Sequence, residues 1–233
     1  MLLVDTSESE DSVKFQCTNE NSQIYMFMVM PEYGTTLFDM FDAKRGTFTS
    51  QSIYSLGVQL LNILEQIHAA GFVFNDLKLD NLMFDASADK RKIKKSDGDI
   101  FEHNNVNIID FGFATPYLKE DGRTHVKKTH LESFRGNLVF SSLNQLKFQS
   151  TSRRDDLISL FYLMVYLFKQ GQMPGINLAE GYDQTELFKT LFQVRQTQTS
   201  KELCFGNTQG LKEFKREVFS YHFADEPNYD KLR

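Results

Sequence analysis

The chain is poor in residues that build disulfide frameworks or metal cages: its 233 residues include two cysteines, Cys17 and Cys204, with no CxxC or other metal-ligand spacing. Both are read as reduced thiols, which points to an intracellular protein, cytoplasmic or nuclear. Long apolar runs are missing too. The opening Met-Leu-Leu-Val-Asp holds too few apolar residues for a secretory signal, and no stretch approaches the ~20 that a membrane-crossing helix needs. A surplus of positive charge is also lacking. With 26 Lys+Arg against 31 Asp+Glu the formal net charge is -5, which argues against a general nucleic-acid binder and gives no reason to expect a membrane partner. Glycine is absent before Gly34, so no G-x-G-x-x-G anion cradle lies in that stretch. No internal repeat and no interdomain linker is visible. A 41% hydrophobic share beside 24% charged residues is ordinary globular material, enough for one lobe-sized core.

Taken in order, residues 5–12 are polar, acidic and aperiodic, and read as a loop or frayed terminus. Val13-Lys-Phe-Gln-Cys17 alternates, and residues 24–30 form a continuous apolar run after an Asn-Glu-Asn-Ser turn, which predicts a hairpin. Pro31 and Gly34 then break both periods. A short helix is expected over residues 35–42, closed by Lys44-Arg45-Gly46. A stronger one runs from a Thr49 or Ser50 cap to Ala70, with Ile53, Leu56, Leu60, Ile63, Leu64 and Ile67 on one face and Gly71 just past its end. Residues 82–84 and 106–109 read as two short strands. Between them, residues 85–105 read as a charged, solvated insertion; its basic run Lys90-Arg-Lys-Ile-Lys-Lys95 also has the form of a localisation or phosphate-docking signal, and no function is attached to it. Leu157-Ile-Ser-Leu-Phe-Tyr-Leu-Met-Val-Tyr-Leu-Phe168 is apolar on nearly every side, as a helix buried all round requires, and Gly171 and Pro174 end it. Two further helices are expected over residues 183–195 and 210–221, where Leu187/Leu191 and Phe214/Val218 are read as packing pairs.

Chemistry concentrates at Phe72-Val73-Phe74-Asn75-Asp76-Leu77-Lys78-Leu79-Asp80-Asn81. An acid, a base and an amide stand at offsets of two and three residues between apolar anchors, so that Asp76, Lys78 and Asn81 can converge in a non-helical loop. A second acid follows in Ile108-Ile109-Asp110-Phe111-Gly112, where a short apolar run delivers a carboxylate to a Phe-Gly turn.

These ordered motifs resemble the casein kinase I family of serine/threonine protein kinases, including its vaccinia-related cousins, from about residue 24 to residue 233. Asp76, Lys78 and Asn81 match the D-x-K-x-x-N catalytic loop, and Asp110-Phe111-Gly112 the DFG turn. Arg123-Thr124-His125 resembles the activation-segment Arg-Thr-His. Ser142-Leu143-Asn144 stands where this family has Ser-Ile-Asn and most kinases have Ala-Pro-Glu. Arg153-Arg154-Asp155-Asp156-Leu157 and Pro227-Asn-Tyr-Asp-Lys-Leu-Arg233 complete the likeness.

The resemblance implies a mainly α (α+β) fold: a kinase-like carboxy-terminal lobe at residues 35–233, with residues 1–34 as the remnant of an amino-terminal lobe and hinge. A short amino-terminal β-hairpin and a small β-hairpin at the active site belong to the same expectation. ATP and Mg2+ are the implied cofactors, and protein hydroxyls the phosphate acceptors. Asp76 would orient the hydroxyl and accept its proton, Lys78 would offset charge on the transferred phosphoryl group, and Asn81 and Asp110 would hold the metal. Asp156 would brace the loop through backbone amides, a role compatible with its other reading as a helix cap. Met30 at the back of the pocket would put the Pro31 carbonyl and the Tyr33 amide against adenine, with Met83 beneath the ring or simply in the strand core. Arg123, Lys127 and Lys128 could hold acidic or already phosphorylated substrates, or form a solvated basic loop.

Two features depart from the family pattern. Phe74-Asn75 replaces His-Arg before the acid, so Asn75 cannot pair with a phosphorylated activation segment, whereas Leu79 in place of proline is tolerable. The other is the absent Gly-rich loop, with a strand lysine matched only by Lys14 and without the helix glutamate to pair it. Three readings follow: the carboxy-terminal part of an enzyme whose upstream lobe lies outside this sequence; a pseudokinase or scaffold with a partner over its exposed cleft; and an unrelated helical interaction domain.

Overall fold

Alternation at residues 13–17 produces the expected strand, and the structure pairs it on both sides. In this computed structural model β1 (Val4–Asp5), β2 (Val13–Thr18) and β3 (Ile24–Val29) form an antiparallel sheet in that order, with Phe15 opposite Phe27. The expected hairpin thus gains a third strand. Residues 4–5, 13–18, 24–173 and 183–233 are described. The loop expected over residues 5–12 falls outside them except at Asp5, as do the Asn-Glu-Asn-Ser turn and Pro174.

The break at Pro31 is shorter than expected. β4 (Tyr33–Thr36) begins two residues later and pairs with β6 (Leu82–Asp85) across a bulge, Tyr33 opposite Asp85 and Thr36 opposite Met83. Gly34 is required there, because a β-carbon would stand 2.7 Å from the Asp85 carbonyl oxygen. Helix α1 (Leu37–Ala43) therefore starts after the strand, capped by Thr36, whose hydroxyl accepts the Asp39 N–H at 3.0 Å.

Helix α2 (Ser50–Ala69) follows its periodicity. Thr49 caps it by accepting the Ser52 N–H at 3.1 Å, Gly71 leaves it with φ of 91°, and Ile53, Leu56, Leu60, Leu64 and Ile67 are buried. β5 (Phe72–Val73) follows, then the Asp76 loop and a 3₁₀ turn over Leu79–Asn81 that hands the chain to β6. β7 (Val106–Ile108) pairs antiparallel with β6, so the sheet order is β4-β6-β7 and the expected hairpin again acquires a third strand.

The segment between β6 and β7 is not simply solvated. Asp89 caps α3 (Lys90–Lys95), which turns its lysines outward and buries Ile93, while Ile100 and Phe101 also enter the core. Phe101 stacks on Phe84 with centroids 5.6 Å apart. Gln59 of α2 donates to the Phe101 and Asn104 carbonyls and accepts the Val106 N–H, so the segment's backbone is docked as well. Charge density hid Ile93 and the Ile100-Phe101 pair, each with a core position to fill.

β8 (Thr115–Pro116) pairs with β5. The remaining elements are helical: α4 (Leu143–Leu146), α5 (Arg153–Phe168), α6 (Gln184–Thr197), α7 (Ser200–Leu203), α8 (Lys212–Val218) and α9 (Tyr229–Leu232). The fold is mainly α, as expected. Helix α5 is buried on nearly every side and supplies Leu157, Leu160, Phe161, Leu163 and Val165 to one core shared with α2. Among the described residues no helix is long and apolar enough to cross a membrane.

Candidate active site

The loop after β5 turns sharply at Asn75, whose φ of 71° is a left-handed conformation that asparagine adopts more readily than most residues. Three elements pin that turn. Asp156, at the start of α5, accepts the Phe74 N–H at 2.7 Å and the Asn75 N–H at 2.8 Å. The Asn75 amide donates to the Phe113 carbonyl at 2.8 Å and to Thr115 Oγ1 at 2.9 Å, and Thr151 Oγ1 donates to Asn75 Oδ1 at 2.5 Å. Gln145 Nε2 donates to the Asn75 carbonyl at 3.1 Å. Both ends of this buried neutral side chain are satisfied, where the family pattern carries an arginine.

The next residue begins the site itself. Asp76 Oδ2 accepts from Lys78 Nζ and from Asn81 Nδ2, each at 2.8 Å, and Asn81 Nδ2 also reaches the Asp76 carbonyl at 3.0 Å. Leu77 and Leu79 alternate into the core and so turn Lys78 outward; its side chain is 26% exposed against 2% for Asp76. The pair therefore opens to solvent on the lysine side. The 3₁₀ turn brings Asn81 back beneath Asp76, and Asn81 Oδ1 makes no hydrogen bond among the described residues.

Asp110 is delivered to the same place by backbone pairing, since the Asn81 carbonyl accepts the Ile109 N–H at 2.9 Å. Asp110 is exposed with φ of 62°, and its Oδ1 accepts the Gly112 N–H at 3.1 Å. Phe111 meets Phe74 edge-on at 5.3 Å, so the phenylalanine in place of histidine joins the Asp110 turn to the Asp76 loop through ring contact. Among the described residues no three His, Cys, Asp or Glu side chains gather into a metal cage. The donors present, the Asp110 carboxylate and Asn81 Oδ1, are hard oxygen ligands, a set that fits Mg2+ completed by phosphate and water oxygens.

Adjacent acids divide the supporting work. While Asp156 holds the loop, Asp155 Oδ1 accepts from Ser142 Oγ at 2.6 Å and from Asn144 Nδ2 at 2.9 Å, and its Oδ2 accepts the Ser152 N–H at 2.9 Å. The Ser142-Leu143-Asn144 motif is thereby fastened to the start of α5.

On the other side Met30 and Pro31 are exposed at the end of β3, and Tyr33 is half-buried in β4. Met83 is also half-buried, on the β6 face opposite Leu82 and Phe84, so it points away from the core those two fill. The three proposed substrate cations, Arg123, Lys127 and Lys128, are all exposed. Only Lys127 lines the cavity of about 430 Å³ below Asn75, where its charged companion is Arg135. Arg123 instead belongs to a turn organised by Asp121, so the three cations do not surround one recess.

A family model described as a protein kinase domain matches residues 6–220. The chain belongs to the protein kinase family. It is 31% identical over 209 residues to a probable casein kinase I homolog of Encephalitozoon cuniculi, covering 88% of this chain and 59% of that protein. It is 26% identical over 212 residues to casein kinase I homolog 3 of Schizosaccharomyces pombe, covering 90% and 45% respectively. A casein kinase 1-like protein of Oryza sativa subsp. japonica is 26% identical over 211 residues, 89% of this chain and 27% of the relative. The casein kinase I resemblance is borne out by these relatives, and the chain spans 59% or less of their lengths.

Sequence reasoning about this kinase chain missed His68 and Tyr229. His68 is buried beside Asp156, and Tyr229 reaches it from α9. A histidine next to the apolar positions Leu64 and Ile67 was the available signal, but nothing local names its partners.

Proposed function

We propose that this chain carries the catalytic floor of a serine/threonine protein kinase of casein kinase I type, which transfers the γ-phosphate of ATP to protein hydroxyls. One observation carries the reading: a buried Asp76 carboxylate held at 2.8 Å by both Lys78 and Asn81, in a loop fixed from below by Asp156. Phosphoryl transfer needs positioning and charge compensation more than covalent help. Asp76 orients the acceptor hydroxyl and takes its proton. The Asn81 amide keeps one carboxylate oxygen fixed while that happens, and Lys78, paired with Asp76 and partly exposed, would offset the charge that develops on the phosphoryl group. Asp110 and Asn81 Oδ1 would hold Mg2+, which when bound neutralises phosphate charge. Met30, Pro31, Tyr33 and Met83 would face adenine. Lys127 with Arg135, more than Arg123 or Lys128, would receive an acidic or phosphorylated substrate segment.

The test is transfer of labelled phosphate from ATP with magnesium to an acidic protein substrate, with Asp76→Asn run alongside. A loss of roughly 10²-fold or more is expected in the variant. Transfer that survives the substitution would sink the assignment of the base.

A second reading, a binding module without catalysis, has its own observation. Ile67, Ala70, Phe72, Phe111 and Ala114 line an apolar recess of about 480 Å³, with Phe72 44% and Phe111 52% exposed, a surface suited to a covering partner. It predicts no thermal shift with ATP and magnesium. A large shift that Asp110→Ala abolishes would count against it.

A further inference from the structure

Behind the Asp76 loop a chain of hydrogen bonds runs out to the last helix. His68, in the final turn of α2, is 1% exposed; its Nε2 lies 2.9 Å from Asp156 Oδ2 and its Nδ1 2.5 Å from the Tyr229 hydroxyl, 161 residues away in sequence. Asp156 Oδ2 already accepts the Phe74 N–H, so it is an acceptor, and an unprotonated ring nitrogen facing it would set two lone pairs against each other. A proton therefore sits on Nε2; in the neutral ring Nδ1 then accepts and the phenol donates. Burial pushes the Tyr229 phenol above its usual range, which keeps the donor protonated.

We propose that Tyr229 is a positioning residue for the Asp76 loop, acting through His68 and Asp156. By donating to Nδ1 it removes the alternative tautomer, in which a lone pair would face Asp156 and turn the carboxylate away from the Phe74 and Asn75 amides. The far end of the relay is fixed independently. Arg233 ion-pairs with Glu65 of α2, and Arg153 donates to the Ala224 and Asp225 carbonyls, so α9 is held where its tyrosine can reach His68. The inference rests on the kinase reading only in calling the Asp76 loop catalytic; the hydrogen-bond chain stands without it.

The test uses the whole chain and two readouts in solution: nitrogen-15 shifts of the His68 ring, and hydrogen exchange of the Phe74 and Asn75 amides. The ring is expected protonated at Nε2 alone. In Tyr229→Phe the two amides should exchange roughly tenfold faster, the scale of one net hydrogen bond, while the Leu160 amide in α5 is unchanged. His68→Gln can donate to Asp156 with its amide nitrogen and accept from Tyr229 with its oxygen, and should retain slow exchange; His68→Leu should not. A ring protonated at Nδ1, or at both nitrogens, overturns the proposal. So does equal exchange in Tyr229→Phe and the parent. Should Tyr229→Phe fail to fold, the ring shifts of the parent chain decide: protonation at Nε2 alone, with Nδ1 accepting, supports the proposal and any other state overturns it. In preparations that transfer phosphate, Tyr229→Phe should lower kcat with KM for ATP unchanged. Absence of transfer in the parent chain bears on the proposed function alone and leaves the exchange result standing.

Discussion

A β-carbon on Gly136 would stand 2.2 Å from the carbonyl oxygen of Asn75, so the segment that carries Gly136 and the Asn75 turn touch backbone to backbone at a point where only glycine fits. Gly136 also has φ of 101°, a conformation closed to other residues without strain. Gly136→Ala should therefore cost more than the ~1–2 kcal/mol of a left-handed backbone alone, because the Asn75 turn must also move. Urea unfolding measures the loss, and an unchanged midpoint would mean that the contact is absent.

Asn75→Asp preserves size and tests the hydrogen bonds. The asparagine donates to the Phe113 carbonyl and to Thr115 Oγ1; a carboxylate would set an oxygen against that carbonyl in a buried site. A destabilisation of roughly 2–4 kcal/mol is expected, read from denaturant midpoints.

For the segment between β6 and β7, Ile93→Ala should cost ~2–4 kcal/mol, since its side chain is 4% exposed and packs into the main core. Lys92→Ala, one residue away on the exposed side of α3, should change stability by no more than about 0.5 kcal/mol. Equal effects would return the segment to a solvated insertion.

The Asp121 turn makes a pH prediction. Its carboxylate accepts from the Thr124 hydroxyl and from the Thr124 and Arg123 amides, which hold its pKa at about 2 against the ordinary 3.8. A depressed folded pKa stabilises the turn fully above pH 3.8 and ceases to do so as pH falls through about 2. Carbon-13 titration of Asp121 should show that low midpoint, and Thr124→Val should raise it.

Much of this molecule is legible in its order of residues. The period of α2, its Thr49 cap and Gly71 exit, the all-round apolarity of α5, and the offsets of Asp76, Lys78 and Asn81 are local properties, and local rules read them. The kinase family is legible for the same reason, as ordered short motifs. Boundaries were lost where a distant neighbour decided them. Gly34 reads as a breaker until Asp85 lies against it, and the residues around Ile93 read as solvent-facing until α2 and Phe84 offer them a core.

Sequence alone determined which residues could do chemistry, because side-chain type and spacing within a short loop set what can converge. Tertiary structure alone decided what holds them. The Asp156 clasp spans 82 residues to Phe74, the Asn75–Gln145 bond 70, and the His68–Tyr229 contact 161. A hydrogen bond between residues so far apart leaves no periodic trace, since its partners are set by the packing of whole helices and not by the chain between them.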